Sequence, residues 1–242
     1  MAPKRARTSQ PVEFDRNRFV STEAAERYTQ GLIQKKIIPE RGFRIEQGQF
    51  PDIDRMINLR GWGEFCKHPG PAVTSLVREF YANAYDATNG RVRVRGKEVV
   101  FDWKAINAYY SLPNIDQDEY LEYTREHVDT TEIIEYLCKP GTTWKMTRVG
   151  IHEEPSLFVA RALNQRARVW LYFVSARMLP TTHVSEVTKE RATLLYCLMS
   201  GRSIDVGHHL FSCIMASSRL PSARLYFPLL ITGLCQSGNF LE

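Results

Sequence analysis

The sequence lacks any apolar run long enough to cross a membrane as an α-helix. Its two best candidates, residues 204–215 and 226–235, are interrupted or too short, because such a helix needs about 18 or more apolar residues. No hydrophobic leader follows Met1, which argues against secretion. We therefore expect a protein without a membrane partner.

Cysteine is scarce, and its positions follow no recognisable pattern. The five cysteines are Cys66, Cys138, Cys197, Cys213 and Cys235. None belongs to a C-x-x-C pair and their number is odd, so the sequence does not indicate a disulfide framework. Several lie on apolar helical faces, where cysteine behaves as a small buried hydrophobe. This distribution predicts reduced thiols in an intracellular compartment.

Motifs that bind nucleotides or create a catalytic nucleophile are also missing. The chain has no Walker loop, no G-x-G-x-x-G and no G-x-S-x-G. His183 and Ser185 share one polar connector, but closeness in sequence does not produce the geometry of a catalytic triad. We expect these two side chains to order the connector, with Ser185 or Thr188 capping the next helix. No catalytic residue and no cofactor is predicted.

The histidines and cysteines do not have the spacing of a metal site. Cys66 and His68 lie two positions apart, and His208 and His209 are adjacent. Neither pair is followed or preceded by a second pair of ligands at the sequence spacing of a zinc finger or zinc knuckle. Adjacent histidines on a helix point about 100° apart, so they do not converge on one ion. We predict no metal ligand among them.

A divergent metal-dependent nuclease or transposase is an alternative that needs no local motif. Its acidic ligands can come from distant parts of the chain and bind two metal ions. Such enzymes place these acids at the ends of buried strands in a mixed sheet, whereas this chain offers one hairpin and many helices. The sequence therefore favours a non-enzymatic role, and three converging carboxylates would argue for the enzyme.

Most of the excess positive charge belongs to the first 20 residues. The whole chain carries +5. Residues 1–20 contribute +3, because they hold five cations against two acids. The remaining +2 is small for a dedicated DNA-binding domain. This division predicts weak, salt-sensitive DNA binding that is lost when residues 1–20 are removed.

Residues 1–19 are polar, basic and poor in apolar side chains, so we expect a disordered tail. Lys4, Arg5 and Arg7 form a short basic cluster that could bind nucleic acid weakly or act as a nuclear localisation signal. A solvated flexible terminus is the alternative interpretation. Nuclear localisation is the first expectation, and a cytoplasmic location is the second.

From residue 20 to residue 242 the pattern predicts a single, mainly helical domain with nine or ten helices. Its centre is the stretch of residues 163–201, where two apolar-periodic segments flank a connector opened by Pro180. These segments carry Trp170, Leu171, Val174 and Met178, then Leu194, Leu195, Leu198 and Met199. Two such helices pack together because neither can bury its apolar stripe alone. Ser21, Asp102 and Asp205 are predicted helix N-caps.

Residues 91–101 give the one confident β-hairpin, so the fold is α+β at most. Arg91, Arg93 and Arg95 alternate with Val92 and Val94, and a turn is predicted at positions 96–97. The three arginines share one face that could hold a phosphate backbone. A solvated edge protected by its charge is the alternative. Further along, residues 152–155 are interpreted as a loop and position 156 as the start of a short helix.

Several stretches of this sequence resemble one known family. They are FVSTEAAERY, IIPERGF, LVREFYANA, VRGKEVVFDWKAINAYYSLP and RARVWLYFVSARMLPTTHVSEVTKERATLLYCLMSGRSIDVGHHL. Over about residues 18–235 the chain is similar to the plant transposon protein domain family, whose members derive from retroelements. Family members often continue into longer polar tails, so the resemblance implies a fragment or a degenerate copy, truncated at its C-terminus. It carries over no catalytic residue.

Three hypotheses on function follow. The first is a non-enzymatic, transposon-derived plant domain that acts through protein or nucleic-acid contacts in the nucleus. The second is a self-assembling module, similar in role to the coat domain of a retroelement, in the cytoplasm. The third is the divergent metal-dependent nuclease or transposase. Self-association or other protein partners, and weak nucleic-acid contact through the tail, are the expected interactions.

Overall fold

The structure, a computed structural model, describes residues 14–46, 48–126, 128–220 and 224–237. This part of the chain contains eleven α-helices and seven β-strands. The helices are α1 (Thr22–Arg27), α2 (Pro51–Leu59), α3 (Gly63–Cys66), α4 (Thr74–Asn83), α5 (Trp103–Tyr109), α6 (Glu119–Arg125), α7 (Thr130–Leu137), α8 (Gln165–Phe173), α9 (Lys189–Met199), α10 (Val206–Arg219) and α11 (Pro228–Ser237). The strands are β1 (Ile37–Ile38), β2 (Arg91–Val94), β3 (Lys97–Val100), β4 (Lys145–Val149), β5 (His152–Val159), β6 (Glu186–Thr188) and β7 (Leu225–Tyr226).

The mainly helical character predicted from the sequence is confirmed, with more helices than the nine or ten expected. Helix α3 is only four residues long and buries Phe65 and Cys66. Helix α8 continues as a π-helical turn over Val174–Met178. The basic cluster of Lys4, Arg5 and Arg7, and the tail up to position 13, lie outside the described residues.

Helix boundaries follow the polar caps read from the sequence. Four side chains each accept a hydrogen bond from the backbone N–H three residues later: Ser21, Asp102, Thr188 and Asp205. Each bond satisfies one of the orphan N–H groups in a first helical turn. Thr188 is the residue that caps α9.

The β2–β3 hairpin is present, and its turn lies one position earlier than predicted. Arg95 has φ 49° and Gly96 has φ 76°, and β2 ends at Val94, which pairs with Lys97. Two positive φ angles at the centre of a two-residue loop define the type I′ turn that suits the twist of paired strands. Val92 and Val94 are buried, as the alternation predicted.

The expectation of a single hairpin was wrong, because two further small sheets are present. Strands β4, β5 and β6 form an antiparallel sheet in that order, and β1 pairs in parallel with β7. Ser156, the predicted start of a helix, lies inside β5. The first half of β5 is exposed on both faces, so its sequence shows no alternation of apolar and polar residues. Strand β6 joins it from about 30 residues away in the sequence.

One apolar core joins the described residues from Phe19 to Cys235. The α8 and α9 segments lie at its centre, and the eight apolar residues predicted for them are all buried. Trp62 stacks on Phe173 with ring centroids 5.5 Å apart and planes within 6°. No helix in the described residues is long and apolar enough to span a membrane.

Candidate nucleic-acid interface

Helix α8 turns one polar face outward beside the buried core. Asn164 caps the helix, its side chain accepting a hydrogen bond of 2.8 Å from the N–H of Ala167. Trp170 and Phe173 are fully buried. Arg168 and Tyr172 lie on the opposite side, and Tyr172 is 62% exposed, a large fraction for an aromatic ring. Helical periodicity therefore places the tyrosine ring in solvent.

Tyr172 lies between two open clefts and lines both of them. The first cleft has a volume of about 580 Å³ and the second about 450 Å³. The first lies towards β5 and the connector before β6, with Val159, Leu171 and Val184 in its wall. The second lies towards the segment before α2, with Phe43 in its wall. Each volume falls in the range of small-molecule sites.

Four exposed arginines surround the tyrosine. They are Arg161 and Arg168 in the first cleft, and Arg41 and Arg44 in the second. Within residues 14–46, 48–126, 128–220 and 224–237, none of the four side chains forms an ion pair. Tyr172 and these four arginines are called the Tyr172 surface below.

The wall of the second cleft is held in place by backbone bonds from the segment before α2. The N–H of Arg41 donates to the carbonyl of Ala176, and the N–H of Phe43 donates to that of Cys66, both at 2.9 Å. The ring of Phe43 packs edge-on against Phe173 at 5.3 Å. These contacts attach residues 41–43 to α3, to the last residue of α8 and to the π-helical turn after it, so Arg41 and Arg44 are carried on a fixed wall.

The acids near this surface are few. Among the described residues that line the two clefts one is acidic, Glu46 in the second cleft. Arg166 of α8 pairs with Asp52 at 2.8 Å, so these two charges neutralise each other. The Tyr172 surface therefore concentrates cations beside one exposed aromatic ring. Guanidinium groups bind phosphate oxygens through paired N–H donors, and an exposed ring offers a stacking face for a base.

The arginines singled out from the sequence lie elsewhere, on the β2–β3 hairpin. Arg91 pairs across the hairpin with Glu98, and Arg95 pairs with the buried Glu79 at 3.2 Å. Arg93 is exposed. Two of the three guanidinium groups thus already have a carboxylate partner. Nucleic-acid binding by Arg91, Arg93 and Arg95 stays a prediction, as does binding by the tail.

A second place where ionisable groups meet is the cavity of about 390 Å³ beside α10. The Cys213 sulfur lies 3.8 Å from Nε2 of His209, and that nitrogen also lies 3.2 Å from the carbonyl oxygen of Met178. Burial raises the pKa of Cys213 to about 12 and lowers the pKa of His209 to about 4. At neutral pH both groups are uncharged, whereas a nucleophilic cysteine needs its thiolate form. This pair is a packing contact.

Acidic, histidine and cysteine side chains do not cluster as metal ligands in the part of the chain that is described. No group of three or more is arranged there to hold a metal ion.

The Tyr172 surface was missed in the sequence, because its residues come from separate segments. Arg168 and Tyr172 share a helical face, which is a local signal. Arg41 and Arg44 lie more than 120 residues earlier in the chain. Only packing of that segment against the end of α8 brings the two sets together.

Comparison with known proteins identifies the family. The family described as "Putative plant retrotransposon-related domain" matches residues 58–239, which is more than half of the chain. No curated protein and no solved structure matches this chain. Arg161, Arg168 and Tyr172 lie inside the matched range, whereas Arg41 and Arg44 precede it. The resemblance to plant transposon proteins seen in the sequence is confirmed: this chain belongs to the family of plant retrotransposon-related domains.

Proposed function

We propose that this chain is a non-enzymatic module of a plant retroelement that binds single-stranded nucleic acid on the Tyr172 surface. One observation carries the proposal. An exposed tyrosine stands between two clefts, and the four arginines around it have no acidic partner among the described residues. Unpaired guanidinium groups bind phosphate without first breaking an existing ion pair.

A single strand fits this surface better than a duplex does. A base stacks on an exposed tyrosine only when it is not already stacked between its neighbours in a double helix. Base stacking on an aromatic side chain is worth about 1–3 kcal/mol and tolerates any sequence. The clefts on both sides of Tyr172 leave room for the nucleotides that precede and follow the stacked base.

Local charge, rather than total charge, supports this binding. Residues beyond position 20 carry a net charge of only +2. Four arginines and one glutamate line the two clefts, so the surface itself carries a net three positive charges. A positive patch of this kind attracts phosphates even on a nearly neutral body.

Fluorescence anisotropy with labelled single-stranded RNA, single-stranded DNA and a duplex of the same sequence tests the proposal. We expect both single strands to bind more tightly than the duplex. Tyr172→Ala should weaken single-strand binding by about 5- to 150-fold, the equivalent of one lost stacking contact. Tyr172→Phe keeps the ring and should bind like the wild type. Equal affinity of the wild type and Tyr172→Ala would refute the proposal.

The salt dependence separates phosphate contacts from stacking. The plot of log K against log salt has a negative slope. Changing an arginine of the Tyr172 surface that contacts a phosphate to alanine should make this slope less steep by about 0.7. Arg125→Ala is the matched control, because Arg125 is exposed on α6 and makes no ion pair with described residues. That control should leave the slope unchanged.

Two further variants compare this surface with the sites predicted from sequence. One changes Lys4, Arg5 and Arg7 to alanine, and the other changes Arg91, Arg93 and Arg95 to alanine. If the tail variant loses all binding while Tyr172→Ala binds normally, the tail is the nucleic-acid site. If the hairpin variant loses all binding while Tyr172→Ala binds normally, the hairpin is the nucleic-acid site.

The nuclear location is part of the same proposal. The basic cluster at residues 3–7 supports it. A fluorescent fusion of the full chain should accumulate in nuclei, and the variant with Lys4, Arg5 and Arg7 changed to alanine should not. A cytoplasmic wild-type fusion would contradict this part of the proposal.

A further inference from the structure

Strands β4 and β5 form an arm with an unpaired edge. The sheet order is β4-β5-β6, so one side of β4 faces no other strand among the described residues. All five residues of β4 are exposed. Three large apolar side chains on the arm are also exposed, Met146 at 44%, Val149 at 55% and Ile151 at 84%. Exposed apolar residues on a free edge are typical of a surface that pairs with another chain.

The hairpin register identifies which backbone groups point outward. Val149 pairs with His152 around the two-residue loop, and Thr147 pairs with Glu154. The pair that flanks a two-residue loop is hydrogen-bonded, and hydrogen-bonded pairs alternate along antiparallel strands. The backbone N–H and C=O groups of Val149 and Thr147 therefore point towards β5. Met146 and Arg148 direct their N–H and C=O groups to the free edge, where they can bond to a further strand.

The free edge of β5 is blocked in a way that the edge of β4 is not. Pro155 lies opposite Met146, in a non-hydrogen-bonded position relative to β4. Its nitrogen therefore faces the other side of β5, and proline has no N–H to donate there. Strand β6 pairs only with Leu157, Phe158 and Val159. Pairing of β4 with β5 of another copy would add copies head to tail without limit. Such pairing lacks the backbone N–H donor at Pro155.

The residues of β4 match a second copy of the same strand. An antiparallel pair centred on Thr147 places Met146 opposite Arg148 and Lys145 opposite Val149. No cation then faces a cation, and Thr147 faces its own copy, a favourable cross-strand pair. Lys145 and Arg148 on β4 are balanced by Glu153 and Glu154 on β5, so the arm has no net charge that would separate two copies.

We propose that this protein forms a symmetric dimer through antiparallel pairing of β4 with β4 of a second copy. The pairing joins the two three-stranded sheets into one six-stranded sheet across a two-fold axis at Thr147. Such an interface uses the same patch on both subunits, so it closes at two copies. This inference is independent of nucleic-acid binding.

A charge exchange at the two-fold axis tests the dimer in the full chain, freed of nucleic acid. The mass of the wild type, measured by sedimentation equilibrium, should rise reversibly from monomer to dimer with concentration. Thr147→Lys alone and Thr147→Glu alone place like charges against each other, so each should raise the dimer dissociation constant at least tenfold. An equimolar mixture of the two variants should form heterodimers, detected by native mass spectrometry, which also shows that both are folded.

The matched control places the same two changes at Thr143, which is exposed just before β4. Thr143→Lys and Thr143→Glu should each dimerise like the wild type. A wild type that stays monomeric up to its solubility limit would overturn the proposal. So would a Thr147→Lys variant that dimerises as tightly as the wild type, or a mixture that forms no heterodimer.

Discussion

Glu40 accepts a hydrogen bond of 2.6 Å from the backbone N–H of Leu230, although 190 residues separate them in the chain. Its second carboxylate oxygen accepts from the N–H of Leu229 at 3.3 Å. Both N–H groups belong to the first turn of α11, so Glu40 caps the last helix from outside. The carboxylate precedes the family-matched range of residues 58–239. The folded unit therefore includes residues before that range.

Replacing Glu40 should destabilise the protein strongly. Glu40 is 2% exposed, and Glu40→Ala leaves two buried N–H groups without an acceptor. We expect the free energy of unfolding to fall by about 3 kcal/mol, measured by urea denaturation. Glu26→Ala is the control, because Glu26 is exposed on α1, and it should change stability by less than about 0.5 kcal/mol. Equal effects of the two changes would contradict the capping role.

The ion pairs of the β2–β3 hairpin should differ in strength because of burial. Glu79 is fully buried and binds Arg18 at 3.0 Å and Arg95 at 3.2 Å, and it also accepts the backbone N–H of Arg95. Glu98 pairs with Arg91 at the surface, where its side chain is 60% exposed. Glu79→Ala should cost about 3 kcal/mol of unfolding free energy.

Glu98→Ala is the matched comparison, because Glu98 also pairs with an arginine of β2–β3, and it should cost less than about 0.5 kcal/mol, since solvent and salt screen the pair. Thermal and urea denaturation of both variants measures the difference. A cost of Glu98→Ala as large as that of Glu79→Ala would show that burial is not the deciding factor.

His209 should make the protein less stable in mild acid. Its folded-state pKa is lowered from 6.5 to about 4, with burial as the main cause. Below pH 6.5 the unfolded chain binds a proton that the folded chain does not, so stability present at neutral pH is lost as pH falls towards 4. The loss should reach about 3 kcal/mol.

The measurement is the difference in unfolding free energy between the wild type and His209→Gln from pH 7.5 to pH 4. The glutamine amide can still donate to the carbonyl of Met178 but does not titrate, so the acid-side loss should disappear in that variant. His183→Gln is the control, because His183 lies at an exposed position of the connector. This variant should lose stability in acid as the wild type does. A His209→Gln variant with the acid dependence of the wild type would disprove this origin.

Gly207 lets α5 and α10 approach closely. A Cβ atom at this position would lie 2.4 Å from the side-chain oxygen of Asn107 and 2.4 Å from the carbonyl oxygen of Trp103. Gly207→Ala should therefore lower the unfolding free energy by about 2–3 kcal/mol, although alanine is the better helix former. Gly31→Ala is the control, because nothing lies within 4 Å of its added Cβ. Circular dichroism melts should show Gly31→Ala unchanged or stabilised by up to about 1 kcal/mol.

Local signals in the sequence predicted much of the helical framework. The apolar spacing of Trp170, Leu171, Val174 and Met178 marked a buried helical face, and these side chains are buried. The caps at Ser21, Asp102 and Asp205 were also read directly. These predictions succeeded because the interacting residues lie within four positions of one another, where the geometry of the helix alone sets the contact.

Strand pairs between distant segments gave little signal. Strand β6 joins β5 late in the chain, and β1 and β7 contribute two residues each, too few for an alternation to be seen. The surroundings of the predicted arginine site also depend on distant contacts. Arg91, Arg93 and Arg95 attracted attention as neighbours in the sequence, yet Arg91 and Arg95 pair with Glu98 and Glu79.

The sequence by itself determined the family, the helical character, several helix N-termini and the residues of the central core, because periodicity and capping act over a few residues. Only the tertiary structure decided which charges stay unpaired. Arg41 and Arg44 lie beside Tyr172 because backbone bonds attach their segment to α3 and to the π-helical turn after α8. Glu79 neutralises Arg95 because α4 packs against the hairpin. A charge acts through its neighbours in space, and folding chooses those neighbours.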